Sequence, residues 1–448
     1  MELERAGGLA IHIILSKLEP ENVATMACVN RRFRNWVFED DSLWSKFCSE
    51  ELGLSSPQDP LGNPTSSFRV SYQTWREDFN MYPWSLVIRA NRCWSRIRGW
   101  IEVNLPEVLP TLRKGASEDQ IKHLEECLKV KLPLPTRVLY RLCDGQETSK
   151  VVNESTNGHI NLLGLIGGYS FYGHLVNVSL FPLCKVITES KDNTRYLGNG
   201  NRLKSLSYIA VASSTVGVEK AFYLKCSTGQ LYVGAWNSYT DGEMFPCVPH
   251  SLLGSVHDKM CSQQQDAMLL WLEEYGRLLE NGIVKVRTEG NIRSISLYPE
   301  QPPLCSETVT NGVKVRASAV FVPESCSLHH DSEKYTFAYS IRMSLSPKGC
   351  NIDGMKFSSC QLYKRHWIIR ANDDITHDVS GEAVVGKYPL LLPGEEEFVY
   401  ESCTTLSSSS GSIEGHFTFV PGRLAEPEGT PFEVEVARFP LQLPDYIF

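Results

Sequence analysis

The sequence predicts a multidomain chain: a small all-α unit at the N-terminus, an α+β unit in the middle and an all-β sandwich at the C-terminus. Three observations carry this. The 448 residues exceed what one hydrophobic core serves. Apolar residues recur at helical spacing across residues 9–48. From Tyr335 to Leu345 the period changes to two, with Tyr335, Phe337, Tyr339, Ile341, Met343 and Leu345 on one side and Thr336, Ser340, Arg342 and Ser344 on the other.

Composition narrows the function classes. Hydrophobic residues make up 42% and charged residues 21%, as in ordinary soluble proteins. A net charge of -8 and a pI near 5.8 leave no electrostatic footprint for nucleic acid or an anionic membrane. No window approaches the ~18 consecutive apolar residues of a membrane span. Glu2, Glu4 and His12 are not those of a secretory signal. Fourteen cysteines without a C-x-x-C pair read as reduced thiols in the nucleus and/or cytoplasm. His329, His330 and Asp331 lack the i, i+4 spacing of a helical metal site, so neither a metal nor a cofactor is expected. Arg89, Arg92, Arg96 and Arg98 form the one basic stretch. On a helix Trp94, Ile97 and Ile101 would share its apolar face, which makes the arginines its solvated side.

The first unit, residues 5–50, reads as short helices. Ile11, Ile14, Leu15 and Leu18 recur at helical spacing until Pro20, Val23 to Val29 supply a second apolar side, and Leu43 and Trp44 sit in a further turn. So few residues cannot bury a core without a neighbour or partner. The segment Ile14-Leu15-Ser16-Lys17-Leu18, Pro20, Cys28-Val29, Arg31, Arg32, Phe33 and Asp41-Ser42-Leu43-Trp44 resembles an F-box. That resemblance implies docking to a Skp-type adaptor and, through it, to cullin and RING subunits. It assigns Ile11, Ile14, Leu15, Leu18, Pro20, Val29, Phe33, Leu43 and Trp44 to the adaptor contact. Ala6-Gly7 departs from the Leu-Pro with which most F-boxes open.

Residues 51–67, rich in Ser, Pro and Gly, read as a linker. The second unit spans 68–281. Ser117 to Gln120 form a capping box, and Ile121, Leu124, Cys127 and Leu128 line the helix that follows. A short helix with Val138, Leu139 and Leu142 stops at Asp144-Gly145. Tyr208–Ala212, Ala221–Cys226 and Gln230–Trp236 read as strands, the last two joined at Ser227-Thr228-Gly229. A helix from Gln265 to Leu279 closes the unit. The stretches LKVKLPLPTRVLYRLCDGQE and FYLKCSTGQLYVGAW in this order resemble the SUKH (Smi and Knr-like) domain, which implies a protein-binding role.

The third unit, 283–448, is almost pure strand. Val313 to Phe321, Ile413 to Phe419 and Phe432 to Val436 repeat the alternation, and each such strand is expected to turn one face to a core and one to water. Tyr335-x-Phe337-Ala338-Tyr339-x-Ile341, Arg365-His366-Trp367-x-Ile369, Gly381-x-x-Val384-Val385-Gly386, Leu392-Pro393-Gly394, Phe398-x-Tyr400-x-Ser402 and Gly415-x-Phe417 resemble the ApaG domain, which implies an immunoglobulin/fibronectin-like sandwich. With all three units the chain resembles the ApaG-containing F-box proteins, including the plant Skp-interacting-partner group. The implied function is substrate recognition within a Skp-cullin-F-box ubiquitin ligase. The chain itself would be non-catalytic, with the SUKH-like and ApaG domains holding an unidentified target protein.

Two local features bear on the target. Alternation places Tyr363, Arg365, Trp367 and Ile369 on one face, opposite Leu362, Lys364, His366 and Ile368, and makes Tyr363, Arg365 and Trp367 candidates for target binding. GEAVVGKY, residues 381–388, matches G-x-x-x-x-G-K, which nominates Gly381, Gly386 and Lys387 for phosphate. Tyr388 replaces the Mg²⁺-holding hydroxyl and Ala383 the second glycine of G-x-G-x-x-G, so a turn between strands is the favoured reading. A nucleotide- or pyrophosphate-binding ApaG domain and a ligase-independent scaffold stay open as alternatives.

Overall fold

The computed structural model describes residues 8–147, 152–154, 160–196, 208–214, 216, 220–235, 244–257, 264–289, 291–327 and 334–448. Four helices open the chain: α1 (Gly8–Leu15), α2 (Pro20–Met26), α3 (Arg31–Glu39) and α4 (Asp41–Leu52). Side chains set their boundaries. Asn30 accepts from the Phe33 amide at 2.9 Å and Asp40 from the Leu43 amide at 3.2 Å, satisfying first-turn donors. Gly53 ends α4 in the left-handed region at φ 69°, where a Cβ would be strained. Ile11, Leu15, Val23, Phe33, Val37, Leu43, Trp44 and Phe47 make the core, and Trp44 Nε1 donates to the Val37 carbonyl at 2.7 Å.

That core is completed from outside. Tyr72 of α5 (Phe68–Asp78) lies 5.4 Å from the Trp44 ring, and Asn91 of α6 (Trp84–Asn104) donates to the Leu52 carbonyl. The stretch read as a linker is folded against these helices. Asp59 accepts from the amides of Leu61 and Asn63, and Trp75 Nε1 donates to the Gln58 carbonyl at 3.2 Å. Its turn-forming residues build a compact loop, not a spacer.

The middle unit wraps α6, α7 (Glu118–Leu128), α8 (Leu134–Leu142), α9 (Leu183–Tyr196) and α10 (Ala267–Glu280) around one sheet. The capping box at Ser117 is complete, with Ser117 and Gln120 bonding each other's main chain. Trp94, Ile97 and Ile101 face inward on α6 as the periodicity predicts. Two of its arginines are paired rather than simply solvated: Arg89 grips Glu273 of α10 at 2.7 and 2.6 Å, and Arg96 meets Glu280 at 3.1 Å. After a two-stranded piece, β1 (Leu112–Lys114) and β2 (Cys143–Gln146), the strands are β3 (Val152–Glu154), β4 (Ile160–Leu162), β5 (Gly167–Phe171), β6 (His174–Leu180), β7 (Ile209–Ser214), β8 (Lys220–Lys225), β9 (Gln230–Ala235), β10 (Phe245–Pro246), β11 (Lys285–Glu289) and β12 (Ile292–Ser296). Their order is β10-β9-β8-β7-β6-β5-β12-β4-β3, with β11 on β12.

The position of β11 and β12 differs from the expected boundary at 283. Both belong to the middle sheet, where β12 runs parallel to β4 and β5. Alternation marks a short strand but not the sheet it joins.

The sandwich contains β13 (Cys305–Thr310), β14 (Val313–Phe321), β15 (Tyr335–Leu345), β16 (Cys350–Ile352), β17 (Met355–Phe357), β18 (Cys360–Ala371), β19 (Asp374–Glu382), β20 (Leu390–Leu391), β21 (Phe398–Leu406), β22 (Ser410–Arg423), β23 (Glu426–Pro427) and β24 (Phe432–Gln442). A four-stranded sheet, β13-β14-β15-β21, faces a six-stranded one built on β19-β18-β22, with β24 on β22. Phe337, Ile341, Met343, Trp367, Phe417, Phe419 and Val434 fill the space between them.

The face of β15 expected in water is covered instead. Thr336 is buried under the connection between β14 and β15, where it donates to the Ser325 carbonyl at 3.0 Å, and Ser340 is buried where the middle unit lies on it, with Arg287 of β11 donating to it at 3.2 Å. Around that contact Glu300 gathers Arg287 at 2.7 Å, Arg342 at 2.8 Å and Arg316 at 3.4 Å. Burial works to raise the Glu300 pKa, and the three guanidiniums outweigh it and hold it below the usual carboxylate value. A second buried network joins Lys220 of β8 to Tyr169 (3.1 Å), whose hydroxyl reaches Glu324 at 2.8 Å, with His174 3.1 Å from the same carboxylate. Residues 443–448 then lie back on the middle unit. Trp271 Nε1 donates to the Ile447 carbonyl at 2.7 Å, Phe448 stacks on Trp271, and Lys220 donates to the Phe448 main-chain oxygen.

Candidate functional site

The nine residues assigned to adaptor docking fall into two groups. Ile11, Leu15, Pro20, Phe33, Leu43 and Trp44 are buried within the helical unit, where they hold its shape. Leu18 is partly covered, whereas Ile14 is 40% and Val29 64% exposed. Ile13 and Phe38 are exposed too, and both were missed in the sequence. Phe38 follows Val37 on the polar side of α3, and a large apolar residue at such a position is the signal that marks it. Beside it, α2, α3 and α5 enclose a cleft of 370 Å³ lined by Ala24, Ala27, Val37, Phe38, Trp44 and Tyr72. The guanidiniums of Arg34 and Arg69 lie 5.9 and 4.7 Å from the Phe38 ring.

In the sandwich a bulge at Tyr363 changes the expected faces. The pairing of β18 with β22 slips between Leu362 and Lys364, so Leu362 joins Trp367 and Ile369 in the core rather than facing out with Lys364. Trp367 is 3% exposed and packs on Phe417 at 5.3 Å and Tyr339 at 6.3 Å. Tyr363 and Arg365 reach the rim, where Tyr363 donates to Glu382 at 3.3 Å and Arg365 to the Ala383 carbonyl at 2.8 Å.

Residues 381–388 form a tight hairpin. Val384 and Lys387 exchange both main-chain hydrogen bonds, at 3.0 and 2.9 Å, across Val385 and Gly386. Both central residues have positive φ, 49° and 73°, as a type I′ turn requires. The next element after Lys387 is the strand β20, reached through Tyr388 and Pro389, so no helix starts behind Gly381, Gly386 or Lys387. Val385 is strained, because its branched Cβ crowds the backbone there by about 1–2 kcal/mol. Val385→Asn is therefore expected to raise stability by about 1 kcal/mol in chemical denaturation without altering the fold.

No arrangement of nucleophile, base and oxyanion donors accompanies these features among the described residues. No group of three or more metal-ligating side chains is found among them either, and the pair His329 and His330 lies outside them. The described cysteines are free thiols. Burial pushes the Cys48, Cys93 and Cys143 thiols up to about 12, the opposite of an activated nucleophile. No described helix is long and apolar enough to cross a membrane.

Comparison with known proteins places these elements. A model of the ApaG domain matches residues 326–421, which lie within the sandwich. An Arabidopsis thaliana protein, "F-box protein SKIP16", is 55% identical over 449 residues, covering 100% of both chains. The human "F-box only protein 3" is 24% identical across 97% of this chain and 82% of its own length. "Protein ApaG" of Nitrosomonas europaea is 37% identical over 132 residues, 30% of this chain and 91% of the bacterial one. On its full-length likeness to the Arabidopsis protein and its ApaG domain, the chain belongs to the F-box proteins that carry an ApaG domain.

Proposed function

We propose that the chain is a substrate-recognition subunit of a Skp-cullin-F-box ubiquitin ligase. The observation that carries this is a small helical unit whose core depends on its neighbours yet leaves Ile13, Ile14, Val29 and Phe38 in solvent. Exposed apolar side chains on a short helical unit cost solvation and mark a surface kept for a partner. The F-box names of relatives that span the chain support a Skp-type adaptor as that partner, with cullin and RING subunits beyond it.

The α+β unit, read as SUKH-like, and the ApaG sandwich then hold the target. Their extensive joint supports a rigid platform, since the buried hydrogen bonds of Arg287 with Ser340 and of Tyr169 with Glu324, the Glu300 ion pairs and the folded-back 443–448 segment oppose relative motion. Such a subunit acts by proximity and orientation and needs no nucleophile, metal or cofactor of its own. It would work in the nucleus and/or cytoplasm. Proximity labelling by the full chain and by a form carrying Ile14→Asp and Val29→Asp tests this. Target proteins are expected to be labelled by both and to accumulate only with the variant. Equal abundance of every labelled protein in the two cells contradicts the ligase role.

A further inference from the structure

The strand β19 is the outer strand of its sheet and pairs with β18 alone. Every residue in it except Gly381 is exposed. It has neither the Pro nor the Lys that blunt an open edge. The Ala383 amide donates to the Tyr363 carbonyl, and the register pairs Arg365 with Gly381 and Trp367 with Val379. Main-chain groups alternate along an antiparallel strand, so Gly381 and Val379 bond β18, while Ser380 and Asp378 turn theirs to open solvent.

Arg365 gives this edge a chemical preference. Its guanidinium occupies the space a side chain at Gly381 would take: a Cβ there would stand 3.1 Å from Nη1 and 3.4 Å from Cζ and Nη2. Missing that Cβ, Gly381 lets Arg365 pass beneath β19 toward the rim. Nη1 donates to the main-chain oxygens of Glu382 (3.2 Å) and Ala383 (2.8 Å), and no described carboxylate pairs with it. Arg370 and Arg438 of the same sheet both bond Glu414. Val379, 44% exposed, shares the inward side with this cation.

We propose that β19 accepts an extended segment of the target protein as an added strand. An Asp or Glu opposite Gly381 bonds Arg365, and a β-branched residue two positions away covers Val379. Main-chain bonds to Ser380 and Asp378 supply affinity, and the acidic and apolar side chains supply selectivity. A second copy of this chain is a poor occupant, because antiparallel pairing of two β19 strands sets Asp374, Asp378 and Glu382 against their own carboxylates. The inference rests on the target-binding reading of the sandwich.

Fluorescence anisotropy of the full chain with the labelled peptide Lys-Thr-Val-Thr-Glu-Thr-Val-Thr-Lys tests it. Saturable binding with a Kd of about 10–100 µM is expected. Replacing the peptide's Glu by Gln, or Arg365→Met in the protein, weakens it roughly ten-fold through loss of the charged hydrogen bond. Ser380→Pro removes an outward N–H, leaves the bonds to β18, and abolishes binding while the melting temperature stays near wild type. Adaptor capture by the Ser380→Pro protein stays intact, which separates failure at this edge from failure of the ligase reading. No saturation at about 1 mM overturns the proposal. So does equal binding by wild type and Ser380→Pro, equal affinity for the Glu and Gln peptides, or self-association that the peptide displaces.

Discussion

Glu324→Ala is expected to destabilise the protein by about 3–5 kcal/mol, because it removes the carboxylate that accepts from Tyr169 and His174 and whose charge, one hydroxyl away, favours the ammonium form of the fully buried Lys220 against the burial that pushes its pKa down. Lys220 lies on the middle unit and Glu324 on the connection between β14 and β15, so the loss falls on the joint between the two. Burial works to raise the Glu324 pKa, but Lys220, His174 and Tyr169 outweigh it and lower it, which shows a carboxylate kept ionised inside the protein. The melting temperature followed by near-UV circular dichroism should fall by about 3–5 °C. The double replacement Lys220→Met with Glu324→Leu should recover most of that loss, since apolar groups of similar volume need no counter-charge. A double variant as unstable as Glu324→Ala would show that the charge is not the cause.

Glu401 is expected to make the same joint sensitive to pH. It lies on β21 against β5, hydrogen-bonded to Ser170 and facing Glu289 and Arg287. Burial, then repulsion from Glu289, push its pKa up from 4.5 to about 8. Between those values the folded protein holds a proton that the unfolded chain has released. Stability therefore falls as pH rises through that window, by about 1.4 kcal/mol per pH unit at most, and levels off above it. Glu401→Gln keeps the bond to Ser170 and cannot ionise. The variant should match wild type near pH 5, exceed it near pH 8, and lack this component of the slope in urea unfolding. Parallel stability curves for the two proteins would refute the assignment.

These two networks mark where the sequence stopped being legible. The capped start of α7 at Ser117 and the inward faces of α6 and α7 follow from capping residues and periodicity and stand where expected, whereas α10 begins at Ala267, after an Asp266 cap, two residues past the expected Gln265. Ser340 and Arg342 have the polarity of a solvated strand face, yet Ser340 accepts from Arg287 of the middle sheet and Arg342 pairs with Glu300. A polar residue that finds its hydrogen-bond partner across a domain interface has the same pattern as one that finds water. The strands β11 and β12 fell on the wrong side of a boundary for a related reason, since partners of a short strand are chosen by tertiary contacts.

The candidate sites were legible in type more than in detail. Helical spacing found the apolar residues of the F-box but did not divide Leu15 and Trp44, which build its core, from Ile14 and Val29, which leave it. Ile14 and Leu15 are neighbours on one turn of α1, and only the packing of the folded unit decides which of them the core covers. One extra residue at Tyr363 reversed the face assigned to Leu362, because a strand's period of two carries no memory across a bulge. Arg365 was singled out for its place beside Trp367. Its route past Gly381 depends on a missing Cβ in the neighbouring strand, which pairing alone reveals.

Isothermal titration of the full chain with a purified Skp-type adaptor decides whether its helical unit docks one. Wild type should bind with one-to-one stoichiometry, and a protein carrying Ile14→Asp and Val29→Asp should lose at least roughly ten-fold in affinity with an unchanged melting temperature. Core substitutions such as Trp44→Ala are unsuitable, since they remove a buried side chain that holds α3, α4 and α5 together. Absence of binding by the folded wild-type chain at about 10 µM adaptor would contradict its role as a ligase subunit.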